Sequence, residues 1–299
     1  MMDYHSCTLC PRRCGVDRTK TRGYCQSGTL PKVARAALHF WEEPCISGET
    51  GSGTVFFSGC TLKCVFCQNY QLSHENFGRE ITVSHLADIF LRLQEQGAAN
   101  INLVTATHYL PSVLEALDLA RPQLNIPIVY NCGGYEQPET IRALEGYIDI
   151  YLPDLKYYDP VLSEKYSDAK DYFTYASRSI QEMIRQTGNL QWSDENSALL
   201  TKGVILRHMV LPGAREDSIR LLHWIHDNLP PHSFLLSLMS QYTPFYRSKE
   251  FPEINRRITT YEYEKVLDTA IELGLTDGYM QKKSSAKEEY TPPFDLSGV

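Results

Sequence analysis

From Gly53 onward the chain alternates short apolar runs with stretches whose apolar side chains recur every three or four residues. The first run, Gly53–Gly59 (GTVFFSG), predicts a strand. Leu86, Ile89, Phe90 and Leu93 then share one helical face, with Ser84 placed to cap the helix and Gly97 to end it. Asn102–Thr105 predicts a second strand and Val113–Ala120 a helix. Ile126–Asn131 reads as a buried third strand, followed by a helix over Pro138–Leu144 with proline in its first turn. Tyr147–Leu152 is the fourth strand, and a long helix is expected over Asp168–Gln186. Gly203–Val210 and Phe234–Met239 complete the strands, with helices over Ser218–Asn228 and Tyr261–Leu273.

Six βα units in series predict an α/β fold with a parallel sheet. Six strands do not fill an eight-stranded closed barrel, so the expected architecture is a partial, open (β/α)6 barrel with its site at the strand C-termini. Residues 1–50 carry no such period and form a cysteine-rich N-terminal extension. The barrel spans 51–281, and 282–299, with scattered charge and two prolines, is expected to be a flexible tail.

Composition narrows the chemistry. Hydrophobic residues make up 42% of the 299, which is globular, and the net charge of −7 argues against a nucleic-acid partner. No stretch reaches the ~18 uninterrupted apolar residues of a membrane span. Met1–Cys25 lacks the apolar core of a secretory leader, so the expected location is cytoplasmic. In a reducing compartment, nine cysteines in clusters suggest metal ligation rather than disulfides.

Cys60, Cys64 and Cys67 spell C-x3-C-x2-C directly after the first strand. Three thiolates suit three irons of a [4Fe–4S] cubane, leaving the fourth open to a small molecule; a structural zinc ion would want four ligands. Phe66, just before the third cysteine, suits a loop that packs on the cluster and meets a purine.

The segment resembles the radical S-adenosylmethionine superfamily. The wider chain resembles its pyruvate formate-lyase-activating-enzyme-like branch, through EEPCISG (Glu42–Gly48), GSGTVFFSGCTLKCVFCQNY (Gly51–Tyr70), THYLP (Thr107–Pro111), VYNCGGYE (Val129–Glu136), DIYLPDLKY (Asp149–Tyr157), RHMVLPG (Arg207–Gly213) and SLMSQYTP (Ser237–Pro244). The resemblance implies a partial barrel and a first step in which the reduced cluster cleaves S-adenosylmethionine. The resulting 5′-deoxyadenosyl radical would abstract hydrogen from a protein or peptide, a glycyl-radical-enzyme loop being one such target. A one-electron donor such as flavodoxin or ferredoxin would be required. Radical chemistry on a small molecule, or a non-catalytic iron–sulfur electron carrier, are the alternatives.

At the strand ends, the cofactor-binding candidates are Phe66, Asn69, Thr105, Thr107, His108, Asn131, Asp154, Lys156, His208 and Gln241. Many superfamily members carry Gly-Gly-Glu after the second strand; here Thr105, Thr107 and His108 stand in for it. Asp154-Leu155-Lys156 matches an Asp-x-Lys of glycyl-radical activating enzymes, and alternation puts both charges on one face. Arg207 and His208 point to opposite faces, and His208 is assigned to the cofactor side. Asp154, Lys156 and His208 are the catalytic candidates.

Cys7, Cys10, Cys14 and Cys25 give a further four thiols in C-x2-C-x3-C-x10-C, a second site for zinc or an iron–sulfur cluster. Cys45 and Cys132 stand apart and are expected to be packed.

Overall fold

The computed structural model describes residues 4–193, 199–281 and 291–299. Its elements in chain order are β1 (Lys32–His39), α1 (Pro44–Ser47), β2 (Ser52–Phe57), α2 (Tyr70–Ser73), β3 (Arg79–Glu80), α3 (Val83–Glu95), β4 (Ile101–Val104), α4 (Leu110–Ala120), β5 (Ile128–Cys132) and α5 (Pro138–Arg142). There follow β6 (Ile150–Pro153), α6 (Pro160–Ser167), α7 (Tyr172–Thr187), β7 (Gln191–Trp192), β8 (Leu200–Met209), α8 (Arg215–Asn228), β9 (Phe234–Met239), α9 (Thr260–Glu272) and β10 (Gly278–Met280).

The strands join in the order β10-β9-β8-β6-β5-β4-β2-β1-β3, with β7 paired to β8 at the side. From β2 through β4, β5, β6, β8 and β9 to β10 every pairing is parallel. This is the expected α/β architecture, a parallel sheet left open as in a partial radical-SAM barrel, with β10 as an added parallel strand. β1 pairs antiparallel with both β2 and β3. The N-terminal extension therefore supplies a strand to the sheet instead of ending where the barrel begins.

Helix boundaries follow local chemistry. Thr82, not the expected Ser84, caps α3, its hydroxyl accepting from the His85 amide. The single helix expected over Asp168–Gln186 is divided: α6 ends at Asp168, which takes a left-handed φ of 52°, and α7 begins at Tyr172. A capping box starts α9, with the Thr259 hydroxyl accepting from the Glu262 amide and the Glu262 carboxylate accepting from the Thr259 amide.

Alternation along the strands sorts two faces. Leu103, Tyr130, Tyr151, Leu206 and Leu236 face the helices in the main core. Val129, Ile150, Leu152, Ile205 and Leu235 face inward and pack with Cys45 and Ile46 of α1, which plugs the bottom of the half-barrel. Being buried on both faces, these strands read as continuous apolar runs. Above the plug the inward positions turn polar, and the site begins.

Of the expected tail, residues 282–290 lie outside the described residues. Residues 291–299 are held along β1: Leu296 N donates to Ala34 O and Ala36 N donates to Ser297 O, Arg35 pairs with Asp295 at 2.9 Å, and Phe294 packs edge-on against Phe56. An extended segment satisfies a strand edge through its backbone, which needs no apolar period and so left no signal in the sequence. Deleting residues 291–299 is expected to lower the melting temperature by several degrees and to raise light scattering on heating, because the β1 edge and Phe56 become exposed; calorimetry and static scattering check this.

Candidate functional site

A cavity of about 270 Å³ opens at the C-terminal ends of β2, β4, β5, β6, β8 and β9. Cys60, Cys64, Phe66, Cys67 and Asn69 line one side, Asn131, Asp154, Lys156 and Arg207 the other, with Thr105 and Gln241 between.

The cysteine loop leaves β2 through Gly59, whose φ is +90°. A Cβ there would stand 2.6 Å from both Cys25 O and Ser27 Oγ, so the position requires glycine. The loop is pinned from α6, where Tyr166 O accepts from Val65 N at 2.9 Å and Ser167 O from Lys63 N at 3.3 Å. Each thiol receives a donor: Leu62 N to Cys60 Sγ at 3.4 Å, Ser167 Oγ to Cys64 Sγ at 3.0 Å, and Ser73 Oγ to Cys67 Sγ at 3.2 Å. Burial pushes the Cys60 thiol up to about 12 and that of Cys67 to about 11, and raises Cys64 as well. Left alone, three such groups stay protonated. Ligation to iron is what would hold them as thiolates, and the donors aimed at the sulfurs fit that state. Among the described residues no three Cys, His, Asp or Glu side chains stand at the spacing of one bound ion. A cubane instead spreads its thiolates over several irons. Cys132 also reaches the cavity wall, and burial holds its thiol well above the ordinary value.

The opposite side is a buried charge network centred on Arg207. Its Nε donates to Asp154 Oδ1 at 2.9 Å, Nη1 to Glu42 Oε2 at 3.3 Å and Nη2 to Asn131 Oδ1 at 2.6 Å. Lys156 Nζ donates to Asp154 Oδ2 at 2.5 Å. Glu42 Oε1 accepts from Asn102 and Asn131 at 3.1 and 3.2 Å. Burial pushes the Asp154 carboxyl up, but Arg207 and Lys156 outweigh it and hold the group below the ordinary carboxylate range. For Glu42 and Glu43 burial wins over Arg207, and both are raised. Lys156, although burial lowers it, is held up by Asp154. Thr105, after β4, has a φ of 30°. The backbone there takes the left-handed conformation that favours glycine.

Three expected residues lie elsewhere. His208 faces the helices, its Nδ1 on Leu155 O at 2.6 Å and Nε2 on Ser218 Oγ at 2.8 Å. The register of β8 with β9 turns Arg207 inward in its place. His108 is buried with Nε2 on Ser58 O at 2.7 Å, and Thr107 donates to Glu136 at 2.9 Å. Both belong to the short turn that follows Thr105, which carries them behind the cavity wall. Glu42 and Glu43 were not singled out as site residues: they precede α1, and only the plug's insertion into the barrel brings them beneath the cavity. Cys45 is packed in that plug.

A half-barrel carrying three thiols at one strand end and a buried ion network facing them defines an iron–sulfur enzyme of the radical type. The chain belongs to the Radical SAM superfamily, whose family model matches residues 54–225. Its cofactors are a [4Fe–4S] cluster and S-adenosylmethionine. Uncharacterized protein MJ0674 of Methanocaldococcus jannaschii is 32% identical over 277 residues, 89% of this chain and 75% of that protein. Among solved structures, Streptococcus suis SuiB bound to S-adenosylmethionine is similar over 75% of this chain at 14% identity, with a TM-score of 0.48. HydG, a maturase of the [FeFe]-hydrogenase, is similar over 80% at 13% identity, with a TM-score of 0.49. The chain spans about half the length of these two, 48% of SuiB and 53% of HydG. The family assignment rests on the family model, which covers more than half of the chain. No helix among the described residues is long and apolar enough to cross a membrane.

Two outcomes follow from the geometry. Arg207→Met takes the cation from buried Glu42 and leaves Asp154 paired with Lys156 alone, and is expected to cost about 3–5 kcal/mol of stability, with part of it recovered in Arg207→Met/Glu42→Gln. His208→Gln keeps polar contact with α8 and should leave S-adenosylmethionine affinity within about threefold of the parent, a difference worth less than ~0.7 kcal/mol. Denaturation and equilibrium binding measure these. Burial also lowers His208 to about 4 and His108 to about 3 from the ordinary 6.5. The unfolded chain then binds more protons than the fold between those values. Stability from these groups is fully present above pH 6.5 and lost as pH falls toward 4 and below. Urea denaturation across that window should show the slope, and His208→Gln should flatten it.

Proposed function

We propose that Cys60, Cys64 and Cys67 hold a [4Fe–4S] cluster with one iron open to S-adenosylmethionine, and that the resulting chemistry abstracts hydrogen from a peptide segment of a protein substrate. The observation that carries this is the single cavity with three donor-satisfied thiols on one side and the Asp154–Lys156–Arg207 network on the other. When bound and reduced by one electron, the cluster supplies cleavage of the sulfonium C5′–S bond. The residues do the rest. Lys156 and Arg207 are the cations facing the cavity, suited to the carboxylate of the methionyl group. Asp154 and Glu42 hold the two cations in place. Asn131 and Asn69 offer amide groups to polar parts of the cofactor, and Gln241 lines the far side. Phe56, Leu62, Phe66, Met209, Leu211 and Met239 make much of the remaining wall apolar, which excludes water from a reactive radical.

The sheet's edges at β10 and β3 do not meet, which favours a chain segment over an enclosed metabolite as substrate. Among protein targets, a glycyl-radical-enzyme loop is the one the sequence resemblance supports. Electrons would come from a flavodoxin- or ferredoxin-like donor in the cytoplasm. A non-catalytic electron carrier would have no use for a charged cavity beside its cluster. Protein reconstituted with iron and sulfide, then given dithionite and S-adenosylmethionine without oxygen, is expected to release 5′-deoxyadenosine, and Cys64→Ala to release none above background. Parent protein that matches Cys64→Ala in chromatographic analysis would rule the reading out. Deuterium appearing in 5′-deoxyadenosine from a labelled glycyl-radical-enzyme loop peptide supports the peptide substrate; its absence removes that target.

A further inference from the structure

Residues 4–31 contain no helix or strand, yet Cys7, Cys10 and Cys25 are buried there and Cys14 lies beside them. The backbone gathers the four. Cys7 N donates to Val16 O at 3.1 Å and Gly15 N to Cys7 O at 3.0 Å, while Arg13 N closes a turn on Cys10 O at 3.0 Å. Cys14 Sγ and Cys25 Sγ stand 3.0 and 3.9 Å from the point where Gly23 lacks a Cβ.

An independent observation concerns Arg18, which is only 2% exposed. Its guanidinium donates to the carbonyls of Ser27, Gly28 and His108, lies over the rings of Tyr4 and Tyr109, and has Cys7 Sγ 3.9 Å from Nη1. No carboxylate stands within ion-pair distance of it among the described residues. A guanidinium is always charged, and a buried charge without a counter-charge is costly. Of the contacting groups, the Cys7 sulfur is the one that binding a metal would turn into an anion.

We propose that Cys7, Cys10, Cys14 and Cys25 hold a fully ligated iron–sulfur cluster as four thiolates, the four not standing at the spacing of one bound ion, and that this centre compensates Arg18. Such a cluster carries net negative charge when held by four thiolates. The centre's place gives it a role. The Cys25 carbonyl abuts Gly59, and Arg12 Nε donates to Thr61 O at 2.9 Å, so the segment grips the residues on both sides of Cys60. The four-thiolate centre braces the loop that presents the catalytic cysteines.

Metal content of protein made without oxygen, with iron and zinc supplied, tests this independently of any turnover. Wild-type chain is expected to hold about four further irons beyond the about four irons of one cubane. The Cys60→Ala/Cys64→Ala/Cys67→Ala variant should keep this second centre, and adding Cys7→Ser and Cys14→Ser should lower its content at least tenfold. Zinc bound by four sulfurs in X-ray absorption, in place of a second cluster, overturns the proposal. A wild-type chain holding one cubane's iron and no further metal overturns the proposal whether or not the variants fold. So does second-centre metal retained in full after Cys7→Ser and Cys14→Ser.

Discussion

A guanidinium buried at the heart of an open barrel must be surrounded by groups that answer its charge, and Arg207 imposes that condition on three other segments at once. Asp154 comes from the end of β6, Asn131 from β5, and Glu42 from the segment that leads into α1. The β1–β2 connection must therefore pass beneath the barrel, which also delivers Cys45 and Ile46 to the apolar plug. The network is a constraint more than a source of stability. Buried ion pairs gain little over an apolar filling but fail badly when one member is missing. Such an arrangement is retained where the charges themselves are useful, and here they face the three thiols across the cavity.

The cluster loop illustrates how a reactive site is held from outside. Its own residues form no helix or strand between β2 and α2, so its shape is set by borrowed hydrogen bonds: from the end of α6, from Leu72 and Ser73 in α2, and from Arg12 of the N-terminal segment at Thr61. Two of the thiols receive serine hydroxyls, Ser73 and Ser167, which lie far from the C-x3-C-x2-C spacing that marks the loop. These partners govern how the sulfurs present themselves to iron.

Much of the barrel was legible because parallel strands are long enough apolar runs to stand out between amphipathic helices. The six expected strands correspond to β2, β4, β5, β6, β8 and β9, and the cysteine loop falls at the strand end where its spacing placed it. What could not be read was parity. Strands buried on both faces give no polar side to orient them, so the choice between Arg207 and His208 depended on the pairing of β8 with β6 and β9. β1 escaped notice because Lys32, Arg35 and His39 interrupt its apolar positions, and the 291–299 strap because it is held through backbone bonds. Glu42 stands beside Glu43, and nothing in the sequence marks either as buried. Its burial is a tertiary fact, set by where the α1 plug goes.

The account stands on an iron left open at the lip of the barrel, opposite the Lys156–Arg207 side. Electron paramagnetic resonance of the dithionite-reduced, oxygen-free protein, recorded with and without S-adenosylmethionine, tests this most directly. The account predicts a reduced [4Fe–4S] signal whose shape changes when S-adenosylmethionine is added. A signal indifferent to S-adenosylmethionine in protein shown to carry the cluster at Cys60, Cys64 and Cys67 would contradict it.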